Sequence, residues 1–345
     1  MLGIDRTAAR YTWTAAAVLL LLVLIYQVRS TLFVFTLAVL FAYLLSPAVD
    51  LLDRALPTRA RTLALALVYV VFVGVVVLAV TQIGSRVVDQ AHALAGKFPA
   101  MIAAWQKQSV PSPNAANSLQ EEILNNMRAG ITQKTNELIG ALPDAGLKFL
   151  SAASNIIYVV IVPVLAFFFL KDGEVIRSHI LDLADRSPFT RGMLDGLMED
   201  IHSLLAKYMR ALVVLSLSTF TAYGTFFTIM GVPYGVLLAV LAMVLEFIPM
   251  IGPLAAATVI LIVAAVAGEH LLAVLIFIIA FRMFQDYVLS PHVMGQGVQL
   301  HPLLVLFGVF GGAELAGVAG SFLSVPVLAM ARILYLRMRR QRIAR

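Results

Sequence analysis

Of the 345 residues, 61% are hydrophobic and only 13% are charged, and the mean hydropathy is +0.93. A single water-soluble core cannot hide that much apolar surface, so lipid must solvate a large part of the chain. The net charge of +6 sits in clusters between apolar runs, which argues against a nucleic-acid face, and the absence of cysteine removes disulfides and thiolate metal sites. The six histidines, from His92 to His301, show no paired ligand spacing, and no cofactor motif is present.

Crossing a hydrocarbon layer takes about 20 apolar residues. Runs near that length occur at 13–28, 31–45, 63–84, 151–170 and 211–231, with three more stretches after Gly231. An all-α, polytopic membrane protein with about eight membrane elements is expected. Arg6 and Arg10 precede the first run, but no small-residue cleavage site follows it. Tyr26-Gln-Val-Arg29 leads straight into the second run, so the segment reads as a retained anchor.

The basic clusters follow a positive-inside pattern. Arg6 and Arg10 come before the first run, and Arg54, Arg59 and Arg61 lie between the second and third. Lys171, Arg177, Arg186, Arg191, Lys207 and Arg210 lie between the fourth and fifth, and Arg332 to Arg345 close the chain. An even number of crossings separates the first clusters. This places both termini in the cytoplasm of a multi-pass protein of a bacterial inner membrane.

The organisation expected is three N-terminal transmembrane helices (1–84), an extracytoplasmic helical insertion (85–148), and a fourth span with a cytoplasmic amphipathic helix (149–210). A transport core (211–335) and a basic cytoplasmic tail (336–345) follow. Within the insertion, beyond Val110-Pro-Ser-Pro-Asn114, Leu119, Ile123, Met127 and Ile131 recur every four residues, as in a packing helix. After Phe169, Asp172 and Glu174 suit the first turn of a surface helix. Leu194, Leu197, Met198, Ile201, Leu204, Leu205 and Tyr208 then form one apolar stripe, suiting a helix on the inner membrane surface or against partner helices.

The last third departs from simple spans. Between Pro233 and Ala267 about 35 mostly apolar residues are interrupted by Glu246-Phe-Ile-Pro-Met-Ile-Gly-Pro253, through which no regular helix can run. After a span from Leu271 to Leu289, the stretch from Pro302 to Ala331 repeats the shape around Gly311-Gly-Ala-Glu314, Gly317 and Gly320. Glu246 lies 13 residues past Pro233 and Glu314 lies 12 past Pro302. These read as two related units of opposite orientation, either re-entrant hairpins or broken spans; charge counting does not choose between them. Inverted repeats with discontinuous helices are a recurrent plan of secondary transporters, and non-helical backbone at membrane depth survives where protein or a water-filled cavity satisfies it.

Glu246, Arg282, Asp286 and Glu314 are ionisable residues in apolar context, where a charge costs several kcal/mol and marks a pathway or a partner. Arg282 and Asp286 share a helix face and can pair. The carboxylates have a structural alternative, which is to accept hydrogen bonds from amides freed at the breaks. With Gln285 and the breaking residues Pro249, Gly252, Pro253, Pro302, Gly311 and Gly312, these make up the candidate pathway set.

The ordered strings Gly231-Val-Pro-Tyr-Gly235, Phe247-Ile-Pro-Met-Ile-Gly-Pro253, Pro291-His-Val-Met-Gly295, Leu300-His-Pro302, Gly317-Val-Ala-Gly320 and Ser324-Val-Pro326, with Leu170-Lys-Asp172 after the fourth span, resemble the autoinducer-2 exporter family, also described as PerM-like permeases. That resemblance covers essentially the whole chain, and Pro249, Gly252, Pro253, Pro291, Gly295 and Pro302 match its motif positions. It implies a homo-oligomeric secondary transporter whose last third moves relative to a scaffold, with substrates that include autoinducer-2. Some relatives are described as sodium-proton or lithium-proton antiporters. The expected partners are the lipid bilayer and a small solute, with proton or sodium coupling, and no nucleic acid.

Three functions follow. In the first, glycine and proline at the two tips expose backbone donors and acceptors to a small polar solute being exported, and Glu246 or Glu314 exchanges a proton. In the second, Glu246, Gln285, Asp286 and Glu314 supply oxygen ligands for cation-proton antiport. In the third, the basic tail and cytoplasmic helix serve a non-transporting scaffold. No nucleophile, base and orienter spacing surrounds Ser324, Ser290 or the histidines, so an enzyme is not expected.

Overall fold

A computed structural model describes residues 6–56, 61–108, 156–183, 188–267, 270–294 and 300–343, and every regular element among them is helical. The helix expected around 119–131 falls outside these residues, as does Gly295. Six of the helices are long and apolar enough to cross a membrane.

Three helices open the chain: α1 (Arg6–Gln27), α2 (Arg29–Ala55) and α3 (Arg61–Ala79). A π-helical turn, Val80–Gly84, carries α3 directly into α4 (Ser85–Gln108), so the helix does not stop at the expected edge of the insertion. Next comes α5 (Ile156–Leu183), which packs on α2 and α3 through Ala42, Leu45, Val49, Ala64, Leu65, Val68, Ala166 and Leu170. Lipid offers no hydrophobic gain for bringing helices together, so the alanines matter: they let the backbones approach and make van der Waals contact.

One local expectation fails here. Asp172 and Glu174 do not begin a surface helix, because α5 runs unbroken through Lys171-Asp-Gly-Glu174. The striped segment and the fifth span are likewise one helix, α6 (Pro188–Met230), 43 residues long and therefore about 64 Å. No proline or glycine pair interrupts the sequence near Arg210, so intrahelical hydrogen bonding carries the helix across the change from polar to apolar surface.

The chain turns at Gly231 and Tyr234, both at positive φ, and runs back along α6 as α7 (Gly235–Leu245). A tight tip at 246–250 leads into α8 (Ile251–Ala267). Arms of 11 and 17 residues span only about 16 and 25 Å, too short for either arm to traverse about 30 Å of hydrocarbon alone. The first unit is thus a helical hairpin. Its tip keeps its amides bonded internally, with Phe247 N donating to Val244 O, Ile248 N to Leu245 O and Gly252 N to Ile248 O. From the other side α4 braces it: the Gln90 side chain accepts from Leu237 N at 2.9 Å, and Phe98 and Ile102 join its core.

The return element α9 (Leu271–Phe284) continues through a second π-helical turn, Gln285–Leu289, into α10 (Ser290–Met294). The last element, α11 (Pro302–Ile343), is broken at Ala316 and Gly317, whose φ values of −145° and 63° divide it into arms 302–315 and 318–343. Ser321 Oγ donates to Val309 O, and a Cβ on Gly312 would stand 2.3 Å from Gly320 O. The arms are therefore antiparallel and touch backbone to backbone, which makes the second unit a hairpin too. Its longer arm reaches the polar end of α6, where Arg337 donates to Asp200 Oδ2 at 2.7 Å and to Gly196 O at 2.6 Å. Leu204, Leu205, Tyr208, Met209 and Leu212 of α6 bury against Val325 and Ala329 of that arm.

Candidate functional site

The two hairpins lie along α6 from opposite ends, and Phe247 at the first tip meets Phe322 of the second with ring centroids 6.0 Å apart. Glu246, the last residue before the first tip turns, is 8% exposed. Thr219 on α6 and Gln285 at the start of the π turn face it, and each is 2% exposed. Thr219 lies near the middle of the apolar stretch 211–230 of α6, a stretch about 30 Å long and so about one hydrocarbon thickness.

Three segments of sequence build the cluster. Thr219 Oγ1 donates to Glu246 Oε2 at 3.3 Å, while Gln285 Nε2 donates to Glu246 Oε1 at 2.9 Å and reaches Thr219 Oγ1 at 3.4 Å. Arg282 stands between two carboxylates: Nη1 is 3.5 Å from Glu246 Oε1, and Nε donates to Asp286 Oδ2 at 2.9 Å. Spacings of three and four put Gln285 and Asp286 on the face of Arg282, and the π turn begins at Gln285, the kind of turn that recurs at functional sites. Glu246 is thus held by side chains, and the structural alternative in which freed backbone amides hold it is not what is seen. With two carboxylates and one guanidinium, the site carries one negative charge more than it neutralises when both acids are ionised.

Aromatic rings close the site toward the Met230 end of α6. Tyr223 packs edge-on against Phe277 and Phe281 of α9, at 5.1 and 5.4 Å, and Phe226 stacks on Phe277 at 4.0 Å. On the opposite side stands the Phe247–Phe322 pair. The cluster thus lies between two aromatic layers, with Arg282 and Asp286 the more exposed of its members.

The fold gathers Glu246, Arg282, Gln285 and Asp286. Pro249, Gly252 and Pro253 form the tip beside them, with Pro253 in the first turn of α8, where its missing N–H goes unused. Pro302 begins α11 and Gly311 and Gly312 lie in its first arm. Glu314 does not join the cluster. It is exposed near the second tip, with no hydrogen bond or ion pair to another described residue.

Thr219 is absent from the sequence-derived set, and so is its buried neighbour Ser216. The signal was present as six serine and threonine hydroxyls, Ser216, Ser218, Thr219, Thr221, Thr225 and Thr228, inside a mostly apolar span. Thr219→Val keeps the shape of the side chain and removes one donor to a buried carboxylate. It is expected to cost about 1–2 kcal/mol, readable as a lower unfolding midpoint in detergent.

Residues 15–340 match the sequence profile of the AI-2E family transporters. MT0215 of Mycobacterium tuberculosis is 30% identical over 345 residues, covering 94% of this chain and 88% of its own length. YrrI of Bacillus subtilis is 24% identical over 307 residues, covering 88% and 86%, and PerM of Escherichia coli is 25% identical over 304, covering 85% and 83%. The first two are named as transport proteins and the third as a permease. A multi-pass helical chain with two facing hairpins, matched to this profile over nearly all its length, belongs to the AI-2E family of membrane transporters.

Proposed function

We propose that the protein exports a small polar solute of the autoinducer-2 kind, a hydroxyl-rich neutral molecule, across the bacterial inner membrane in exchange for protons taken up at Glu246. The observation that carries this reading is the buried carboxylate at the first hairpin tip, shared by Thr219, Gln285 and Arg282. When Glu246 gains a proton, Arg282 loses one of its two acids and shifts toward Asp286, which already holds its Nε. The ionised carboxylate, by contrast, is the acceptor for a hydroxyl-bearing guest beside Gln285 and Thr219, so proton and guest compete for Glu246, as exchange in opposite directions requires. Because the partners of Glu246 lie on α6 and on the α9 face, any displacement of the first hairpin remakes the site, which links proton exchange to access.

The positive clusters put both termini in the cytoplasm. The first hairpin then enters from outside and the second from the cytoplasm, in keeping with inverted-repeat transporters. Homo-oligomerisation fits the apolar faces left bare on one copy: α1 buries none of its span, and Leu315 at the second tip is 85% exposed.

A second reading is sodium-proton or lithium-proton antiport, favoured by the Glu246 carboxylate meeting the Thr219 hydroxyl while Arg282 links it to a second acid, Asp286. Proteoliposomes loaded with candidate solutes and a pH-sensitive dye separate the two. Solute export is expected to require a pH gradient and to move protons inward only when solute is present. Proton movement on adding sodium or lithium without solute would establish the antiport reading instead, and no flux of either kind would remove both.

A further inference from the structure

A cavity of about 390 Å³ opens between α2, α5 and α6 at the level where α5 passes from Leu170 to charged residues. It is separate from the transport site: His202, on its wall, precedes Thr219 by 17 residues on α6, about 26 Å along the helix. Its inner wall is apolar, with Phe169 and Leu170, and its rim carries both signs of charge.

Those charges are unequally engaged. Arg177 is held by Asp195 at 2.7 Å and by Glu199 at 3.4 Å. Arg61 and Glu174 are exposed at the rim and form no ion pair with another described residue. Beside Glu174, Gly173 leaves open space, with nothing within 4 Å of where a Cβ would stand. The cavity rim therefore carries a guanidinium and a carboxylate, neither in an ion pair with another described residue, above a greasy floor, at the depth where the helices change from apolar to polar surface. A ligand matching it has an anion and a hydrogen-bonding cation a few atoms apart, joined to an apolar stem.

We propose that this cavity is a site for a membrane phospholipid with a phosphoethanolamine headgroup, the phosphate on Arg61, the ammonium on Glu174 and Glu199, and the acyl stem against Phe169. A guanidinium suits phosphate because its planar fork donates two hydrogen bonds. A primary ammonium offers three donors to the carboxylates, which a trimethylated choline lacks. Lipids bound between helices on the cytoplasmic side of membrane proteins exploit the same charge complementarity.

The test uses the full chain in detergent, supplied separately with phosphatidylethanolamine, phosphatidylglycerol or phosphatidylcholine and examined by native mass spectrometry. The wild type is expected to retain one phosphatidylethanolamine per chain with a preference of about tenfold over the other two. Gly173→Leu fills the open space with a better helix former. It is expected to abolish the preference while melting no lower than wild type in lipid-free detergent. The pair Arg61→Gln and Glu174→Gln is expected to abolish it without filling the cavity. Equal retention of the three lipids by the wild type would overturn the proposal, as would a preference that survives in both variants. Soluble phosphoethanolamine displacing the lipid without any acyl chain would overturn the assignment to a membrane lipid.

Discussion

Glu246→Gln is expected to remove pH-gradient-driven solute flux in proteoliposomes by about 100-fold or more, the scale at which loss of a proton-transferring group is felt. Glutamine has the shape of glutamate: its amide oxygen can still accept from Gln285, and its amide nitrogen can donate to the Thr219 hydroxyl, which reverses its role to accept. Arg282 keeps Asp286 at 2.9 Å, so no guanidinium is left unpaired. What disappears is the capacity to take up and release a proton. Exchange of labelled solute at equal concentrations on both sides, which needs binding and reorientation without net proton movement, is expected to continue. Unchanged gradient-driven flux in the variant would show that the proton travels by another route.

Gly252→Ala is expected to cost about 3 kcal/mol, the upper end of the range for overpacking a well-filled site. A Cβ there would stand 1.7 Å from Leu245 O and 3.2 Å from the Ile248 Cβ. The main obstacle is a backbone carbonyl, which cannot swing aside like the end of a long side chain, so the first hairpin tip would have to open. Since Glu246 is the residue after Leu245, the carboxylate would move with it, and flux should fall together with stability. Gly311→Ala is the matched control. It lies in the second hairpin, has nothing within 4 Å of a Cβ, and is expected to be neutral or to gain up to about 1 kcal/mol from helix propensity. Denaturant titrations of both variants in detergent measure the difference.

Much of this architecture was legible because lipid imposes a simple rule. Apolar length reveals helices, and the stretch Glu246-Phe-Ile-Pro-Met-Ile-Gly-Pro253 could not be helical throughout, so a break there followed from proline and glycine chemistry alone. The choice between hairpin and broken span was not legible, because both leave the flanking charges on the same sides. It rests on antiparallel contacts such as Ser321 with Val309. Helix continuity was also hidden: acidic residues at 172 and 174 resemble a helix start, yet nothing before them stops α5. The Arg282–Asp286 pair could be read from spacing of four on one helix, whereas Thr219 lies 27 residues from Glu246 and reaches it only because α7 doubles back along α6. Glu314, equivalent to Glu246 by position in its unit, differs in setting. Among the described residues, none bonds or pairs with it as Thr219 of α6 does with Glu246.

The backbone contact between Gly312 and Gly320 has a bearing on where the second hairpin can go. Arms joined by a bulky oily seam would hold together in water and loosen in hydrocarbon, where such a seam gains nothing from burial. Arms in direct main-chain contact owe their cohesion to dispersion and short-range dipoles, which depend far less on the surrounding medium. A piece of protein built in this way tolerates passing from an oily neighbourhood to a wet one and back without unravelling.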